Sequence, residues 1–281
     1  MNTRIDCFPC FLRQTVIALN QVYTPPELQE EILRNALSIL QNAEMNRPPA
    51  YTGTLVHRMI RKRLGMDPFH KVKSEYNGIA MRLYPGMKER VRDGKDPLWT
   101  AARLAIAGNI IDFGIFTSVD IDRAVADALK EEISVDEYDS FSAAVEEATE
   151  VLYLLDNAGE IVFDRLLIEE LVRKGKTVRA VVKGSPVLND VTFADASRIN
   201  LHEICELLDN GSDAIGTILE WTSQEFQAQF HSADLIISKG QGNFETISGN
   251  GKSAYHLFQS KCDVVSKDLG LSPGSMILKK F

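Results

Sequence analysis

Apolar and polar residues follow different periods in the two halves of this chain. Leu28, Ile32, Leu33, Ala36 and Leu40 recur at helical spacing and form one apolar stripe. Thr24-Pro25-Pro26-Glu27 ahead of them reads as a helix start, with a threonine cap, proline in the first turn and glutamate three residues after the cap. A basic helix follows, carrying His57, Arg58, Arg61, Lys62 and Arg63. Gly65 ends it before a break at Asp67-Pro68. The segment from Pro97 to Ile111 is alanine-rich and reads as a buried helix ending at Asp112-Phe113-Gly114.

Near residue 150 the pattern changes. Val151-Leu152-Tyr153-Leu154-Leu155 is a continuous apolar run of strand length, as a parallel strand buried on both faces requires. Gly159 marks a turn, and Ile161 to Lys174 is an amphipathic helix closed by Gly175. Thr177 to Val182, Asp234 to Ser238 and Cys262 to Ser266 read as further strands. Strand–loop–helix alternation predicts a mainly parallel sheet with helices on both faces. The expected organisation is a helical domain over 1–145 and an α/β domain over 146–281.

Composition narrows the picture only moderately. With 281 residues, 44 % hydrophobic and 25 % charged, the chain can bury a substantial core. A net charge of -8 argues against nucleic acid as the main partner, because phosphate backbones attract basic surfaces. No apolar run reaches the roughly 20 residues a membrane span needs, and Met1 to Asp6 lacks the apolar core of a signal peptide. A cytoplasmic protein with no membrane partner is expected. Sequence leaves the oligomeric state open. Four cysteines are too few for a disulfide scaffold. Cys7 and Cys10 form a Cys-x-x-Cys pair ahead of a helix, for which structural, metal and redox readings all stand.

Ligands of open parallel sheets bind beyond the carboxyl ends of the strands. Three expected strands end in polar sequences: Asp156-Asn157-Ala158-Gly159-Glu160, Gly184 to Asp190, and Lys239-Gly240-Gln241-Gly242-Asn243-Phe244-Glu245. Asp156, Asn157 and Asp190 offer oxygen ligands of the kind that suits Mg²⁺ or Mn²⁺. Three such ligands would leave positions for water and a phosphate oxygen. The competing reading makes Asp156 a helix cap. Lys239, beside Gly240 and Gly242, and Lys261 could supply cations for an anion, or could be ordinary surface lysines. Asn109 and Asp112 are polar residues in an apolar stretch; they either line the site or satisfy backbone locally.

Several motifs fail. Gly249-Asn250-Gly251-Lys252-Ser253 lacks the earlier glycine and the strand of a phosphate loop. Gly240 and Gly242 run on to Glu245 with no third glycine, so the dinucleotide fingerprint is absent. The five histidines show no metal-ligating spacing. Ala158 stands where a haloacid-dehalogenase-type phosphatase wants a second acid, so direct attack by Asp156 is disfavoured relative to attack by water.

Together, Leu154 to Glu160, Val182-Lys183-Gly184-Ser185-Pro186 with Asn189-Asp190, and Ile237 to Glu245 resemble the damage-control phosphatase family, formerly a domain of unknown function. The likeness extends to Cys7-Phe8-Pro9-Cys10, the mark of its prokaryotic subfamily I, and to Asn109-Ile110-Ile111-Asp112-Phe113-Gly114. It implies a three-layer α/β/α sandwich with an N-terminal helical domain. It also implies a metal-dependent phosphatase acting on small phosphorylated metabolites with Mn²⁺, Mg²⁺, Co²⁺ or Ni²⁺. Asp156, Asn157 and Asp190 would ligate the metal, with Asp156 and Asp190 as the catalytic carboxylates. Asn109, Lys239, Gly240, Gln241, Gly242, Asn243, Glu245 and Lys261 would contact substrate. Of the Arg-Thr-x-Lys motif found in eukaryotic relatives, only Lys261 remains, after Phe258-Gln259-Ser260. Two rival readings are an S-adenosylmethionine-dependent methyltransferase and a non-catalytic metal- or metabolite-binding protein.

Overall fold

The computed structural model describes residues 1–110, 129 and 133–281. Asp112, Phe113 and Gly114, where a helix end was expected, lie outside the described residues. In chain order the helices are α1 (Cys7–Asn20), α2 (Pro26–Gln41), α3 (Pro49–Leu64), α4 (His70–Asp93) and α5 (Pro97–Ile110). They continue with α6 (Tyr138–Glu147), α7 (Glu160–Arg173), α8 (Phe193–Arg198), α9 (Gln224–Ser232), α10 (Gln241–Ile247) and α11 (Asp263–Leu269). The strands are β1 (Val135–Asp136), β2 (Glu150–Leu154), β3 (Thr177–Val182), β4 (Glu206–Asp209), β5 (Leu235–Lys239), β6 (Tyr255–Gln259) and β7 (Met276–Lys280).

These strands form one sheet of order β1-β7-β6-β5-β2-β3-β4. Every neighbouring pair is parallel except β6 and β7. Side chains alternate between its two faces, as extended backbone dictates. Val151, Tyr153 and Leu155 point with Leu235 and Ile237 toward α4, α5 and α7. Leu152, Leu154 and Ile236 point the other way, toward Phe226 and Phe230 of α9. Phe258 and Ile277 extend that second face toward Phe244 of α10 and Val265 of α11. Helices thus cover both faces, giving the three layers. Helices α1, α2 and α3 close over a core of their own, built on Phe11, Ile32, Ala36, Val56 and Ile60.

Helix α7 is almost wholly buried between the sheet and α5. The two helices meet closely because Gly108 faces Phe163, whose Cβ and Cγ stand 2.9 Å from where a Gly108 side chain would begin.

Three local expectations differ. Thr24 does not cap α2; its hydroxyl donates to Leu19 O, and Pro25 occupies the cap. Cys262 to Ser266 is the cap and first turns of α11, not a strand, and the strands of this region are β6 and β7. The glycine-rich segment after Lys239 is not a loop. Gly240 adopts φ 78, a turn that an L-residue resists, and sends the chain straight into α10.

Candidate functional site

The sheet reverses its order of addition between β2 and β5, where parallel sheets open a crevice. Asp156 follows β2, and Gly240 follows β5. Asn243 fastens the two strand ends together: its Nδ2 donates to Leu155 O at 3.2 Å and to Lys239 O at 2.8 Å.

The loop after β3 returns to the same rim. Val191 N donates to Asp156 O at 2.9 Å, and Ala158 N donates to Asn189 O at 2.8 Å. Asn157 and Asp190 are therefore bridged across an antiparallel pairing. Two carboxylates and an amide from separate strand ends are held side by side by backbone. Asp156 does not cap α7, because Gly159 holds that position and its N–H donates to Asn77 Oδ1 of α4 at 2.7 Å.

The amide of Asn157 donates from Nδ2 to Asp156 Oδ2 at 2.5 Å and to Glu160 Oε2 at 3.1 Å. A planar amide committed through nitrogen presents its oxygen on the opposite side. Asn109 stands behind the carboxylates. It donates to Glu160 Oε2 at 2.8 Å and to Asp156 Oδ2 at 3.4 Å, and accepts from Gln259 N at 3.2 Å.

Beneath this layer lies Lys239, fully buried. Its ammonium donates to Glu160 Oε1 at 2.6 Å, to Ala105 O at 2.7 Å, and pairs with Asp164 Oδ1 at 2.7 Å. Burial pushes the Glu160 carboxyl up, but the charges of Lys239 and Lys261 and the hydrogen bonds from Lys239 and Asn109 together outweigh that and leave it below the ordinary value. Burial holds Asp164 up at about 7 despite Lys239.

Asp156 is held well above the usual carboxylate range, first by burial and then by the charges of Glu160 and Asp190. Burial also lifts Asp190 to about 6, eased by Lys183 at 3.4 Å. Apart from that ammonium, no hydrogen-bond donor among the described residues reaches Asp190 Oδ2.

These groups open onto a cavity of about 370 Å³ between the sheet rim and the helices α1 and α3. Asp156, Asn157 and Asp190 form its inner wall. Gln241, Gly242 and Glu245 of α10 form one side, and Cys7 and Cys10 of α1 face in from another. Lys261 is the one lysine or arginine among the described residues that line it, against the carboxyls of Asp6, Asp156, Asp190 and Glu245. Glu245 is raised to about 7 by burial, eased by the Gln241 amide at 2.8 Å and the Ala50 N–H.

The expected substrate contacts therefore divide. Gln241, Gly242, Glu245 and Lys261 line the cavity. Lys239, Asn109, Asn243 and Gly240 stand behind it, because strand alternation turns Lys239 toward α7 and the amides are spent on carboxylates and backbone. Glu160, Asp164, Lys183 and Asn77 support the site without having been singled out. Glu160 and Asp164 sit four apart on α7, the spacing that places both on one helix face beside Lys239.

The residues fit a divalent cation. The charges of Glu160 and Asp190 raise the proton affinity of Asp156, Asp190 Oδ2 has only the Lys183 ammonium near it, and the Asn157 amide commits its nitrogen to the carboxylates and leaves its oxygen beside them. Among the described residues no three His, Cys, Asp or Glu side chains converge as a metal cluster. The candidate centre is accordingly two carboxylates and one amide.

Fold and rim together define an α/β protein with an oxygen-lined ligand site at the switch point of a mainly parallel sheet. The family model of the Damage-control phosphatase ARMT1-like domain matches residues 3–277, and the chain belongs to that family. It is 34 % identical to a damage-control phosphatase of Archaeoglobus fulgidus, over 97 % of each chain. It is 35 % identical to the uncharacterized protein MJ0202 of Methanocaldococcus jannaschii, over 98 % of this chain and 94 % of that one. The crystal structure of the DUF89 family protein PH1575 of Pyrococcus horikoshii superposes with a TM-score of 0.93 at 30 % identity, covering 100 % of this chain and 99 % of that one. Among the described residues, no helix is long and apolar enough to cross a membrane.

Proposed function

We propose that this chain is a divalent-metal-dependent phosphatase that hydrolyses small phosphorylated metabolites, with Asp156, Asn157 and Asp190 as the metal ligands. The observation that carries the reading is the acidity of the cavity. Four carboxyl groups face in against one lysine and the amine of Met1, and Asp156 and Asp190 stand close enough that the charge of Asp190 raises the proton affinity of Asp156, so the inner wall favours a cation over a bare phosphate dianion. A cation between Asp156 and Asp190 reverses that sign. Mn²⁺, Mg²⁺, Co²⁺ and Ni²⁺ all suit an oxygen-donor site.

When bound there, the metal supplies Lewis-acid charge to a phosphoryl oxygen and acidifies water near neutral pH. The chain does the rest. Asn109 and Asn157 grip Asp156 Oδ2 and fix its carboxylate. The backbone pairing through Asn157 and Asp190 fixes the distance between the two acids. Lys261 brings positive charge to the phosphoryl group, and its charge already reaches Asp156 and Glu160. Gln241 and Glu245 face the organic part of the substrate. Lys239 acts at one remove, neutralising Glu160 so that Asn109 and Asn157 can hold it beside Asp156.

The test is turnover of p-nitrophenyl phosphate by purified protein across a panel of the four metals, beside Asp156→Asn and Asp190→Asn. Metal-dependent release that both variants lose, with native circular dichroism, supports the reading. Undiminished release in either variant refutes the site.

A further inference from the structure

The Cys-x-x-Cys pair is the one motif that the proposed chemistry leaves without a task, and the fold puts it on the wall of the same cavity. We propose that Cys7 and Cys10 form a reversible disulfide that remodels the outer half of this pocket and so regulates substrate binding. The proposal rests on the phosphatase reading for its effect on turnover, but the bridge can be detected without it.

Cys7 is the first residue of α1 and Cys10 the fourth. Residues three apart in a helix have Cα atoms about 5 Å apart, inside the roughly 4.4–6.8 Å that a disulfide spans. The Cβ atoms must approach by about 1 Å more, which the first turn of a helix accommodates more readily than its interior. Both thiols are free, with Cys10 exposed and Cys7 buried. That asymmetry assigns the roles. Cys10 meets the oxidant, and Cys7 resolves.

The oxidant is a low-molecular-weight disulfide. The Cys10 thiolate attacks one of its sulfurs; that S–S bond breaks, and the departing small thiolate takes up the proton Cys10 released. The Cys7 thiolate then attacks the Cys10 sulfur of the mixed disulfide and expels the second small thiol. Two protein thiols are oxidised, and one small disulfide is reduced to two thiols. Burial pushes both protein thiols above their ordinary value, so exchange accelerates with rising pH.

Closure alters the pocket because each sulfur now has another contact. Cys10 Sγ accepts from Gln14 Nε2 at 3.7 Å, and Cys7 Sγ accepts from Arg4 N at 3.5 Å. The new bond draws them off these partners. Both thiols feel the charge of Glu245. The effect therefore falls on the half that holds the organic part of the substrate. Cys262 lines the same cavity but is held from α10, with Gln241 Nε2 at 3.6 Å from its sulfur.

The experiment equilibrates the full chain with glutathione disulfide, traps free thiols by alkylation and maps the links by peptide mass. Activity with Mn²⁺ and p-nitrophenyl phosphate is measured in parallel. The expected result is a Cys7–Cys10 link, with two of the four thiols lost. KM should rise several-fold while kcat stays within about twofold, and a phosphine reductant should reverse both. In Cys10→Ser the oxidant should leave KM where the reductant leaves it. A Cys10–Cys262 link, no intramolecular link, or a Cys7–Cys10 link without change in KM overturns the proposal. If reduced protein shows no turnover with any metal, the phosphatase reading fails, and the mapped link alone decides whether the bridge exists.

Discussion

A side-chain carbon at Gly240 would fall on the carboxylate of Asp156. The contact links the end of β5 to the end of β2 and explains why the turn after Lys239 carries glycine. Positive φ alone would ask for glycine; the carboxylate asks for it a second time. Gly240→Ala should therefore push Asp156 out of its position between Asn109 and Asn157. The expected outcome is Mn²⁺ affinity lowered at least about tenfold, together with about 1 kcal/mol or more lost to the unfavourable φ. Calorimetric titration with Mn²⁺ reads the first and thermal denaturation the second. Unchanged affinity in a folded variant would show that the Asp156 carboxylate is not held where the cation binds.

Lys239 is fully buried, and its ammonium meets Glu160, Asp164 and Ala105 O. Removing one partner of a buried ion pair leaves an uncompensated charge and costs about 3–5 kcal/mol. Lys239→Met should thus lower the thermal midpoint steeply. Lys239→Met combined with Asp164→Asn removes one of the two acids it serves and should recover part of the loss. If the double variant melts no higher than the single one, the ion pair is not what makes Lys239 indispensable.

Much of this was legible in the chain, and the failures have identifiable causes. β2, β3 and β5 are apolar runs flanked by turns, and their polar ends announced Asp156, Asn157 and Asp190. What sequence spacing alone did not convey was direction. Leu235, Ile237 and Lys239 share one face by simple alternation. That face belongs to α7, so Lys239 is buried behind the cavity wall and not in it, and the period-two pattern already contained this. Val264 and Val265 read as a strand because two adjacent apolar residues carry no period; Cys262 O receives the Ser266 N–H and begins a helix instead. β6 carries His256 as its second residue, which masked it. That imidazole is buried against Phe244 and Phe281 and pushed down to about 3 by burial, so it behaves as a neutral core side chain.

Lys183 stands 3.4 Å from Asp190 Oδ2, a buried oxygen with no closer donor among the described residues. An ammonium there balances the carboxylate when no metal is bound and repels a divalent cation when one arrives. Lys183→Met should destabilise the metal-free protein, since Asp190 loses its counter-charge and Gly216 O loses a donor. The same change should enlarge the stabilisation that saturating Mn²⁺ confers, because the competing charge is gone. The measurement is the difference in thermal midpoint with and without Mn²⁺. A smaller difference in the variant than in the native chain would mean that Lys183 assists metal binding rather than opposing it.

Glu245 gives the site a pH signature that can be separated from the metal. Its carboxyl is raised to about 7 by burial, with the Gln241 amide and the Ala50 N–H easing the penalty only in part. In the unfolded chain the same group titrates near 4.3. Between these two values the folded state holds a proton that the unfolded state has released. Stability therefore falls as pH rises through this window; the contribution is full below about 4 and gone above about 7. The size is on the order of 3–4 kcal/mol. Glu245→Gln carries the neutral form at every pH and should flatten that slope. The comparison is the thermal midpoint of both proteins from pH 4.5 to 8 in the absence of metal. The native chain should lose stability relative to Glu245→Gln as pH increases. Parallel curves would mean that Glu245 is ionised throughout, and its side of the cavity would then present a fixed negative charge to substrate at neutral pH.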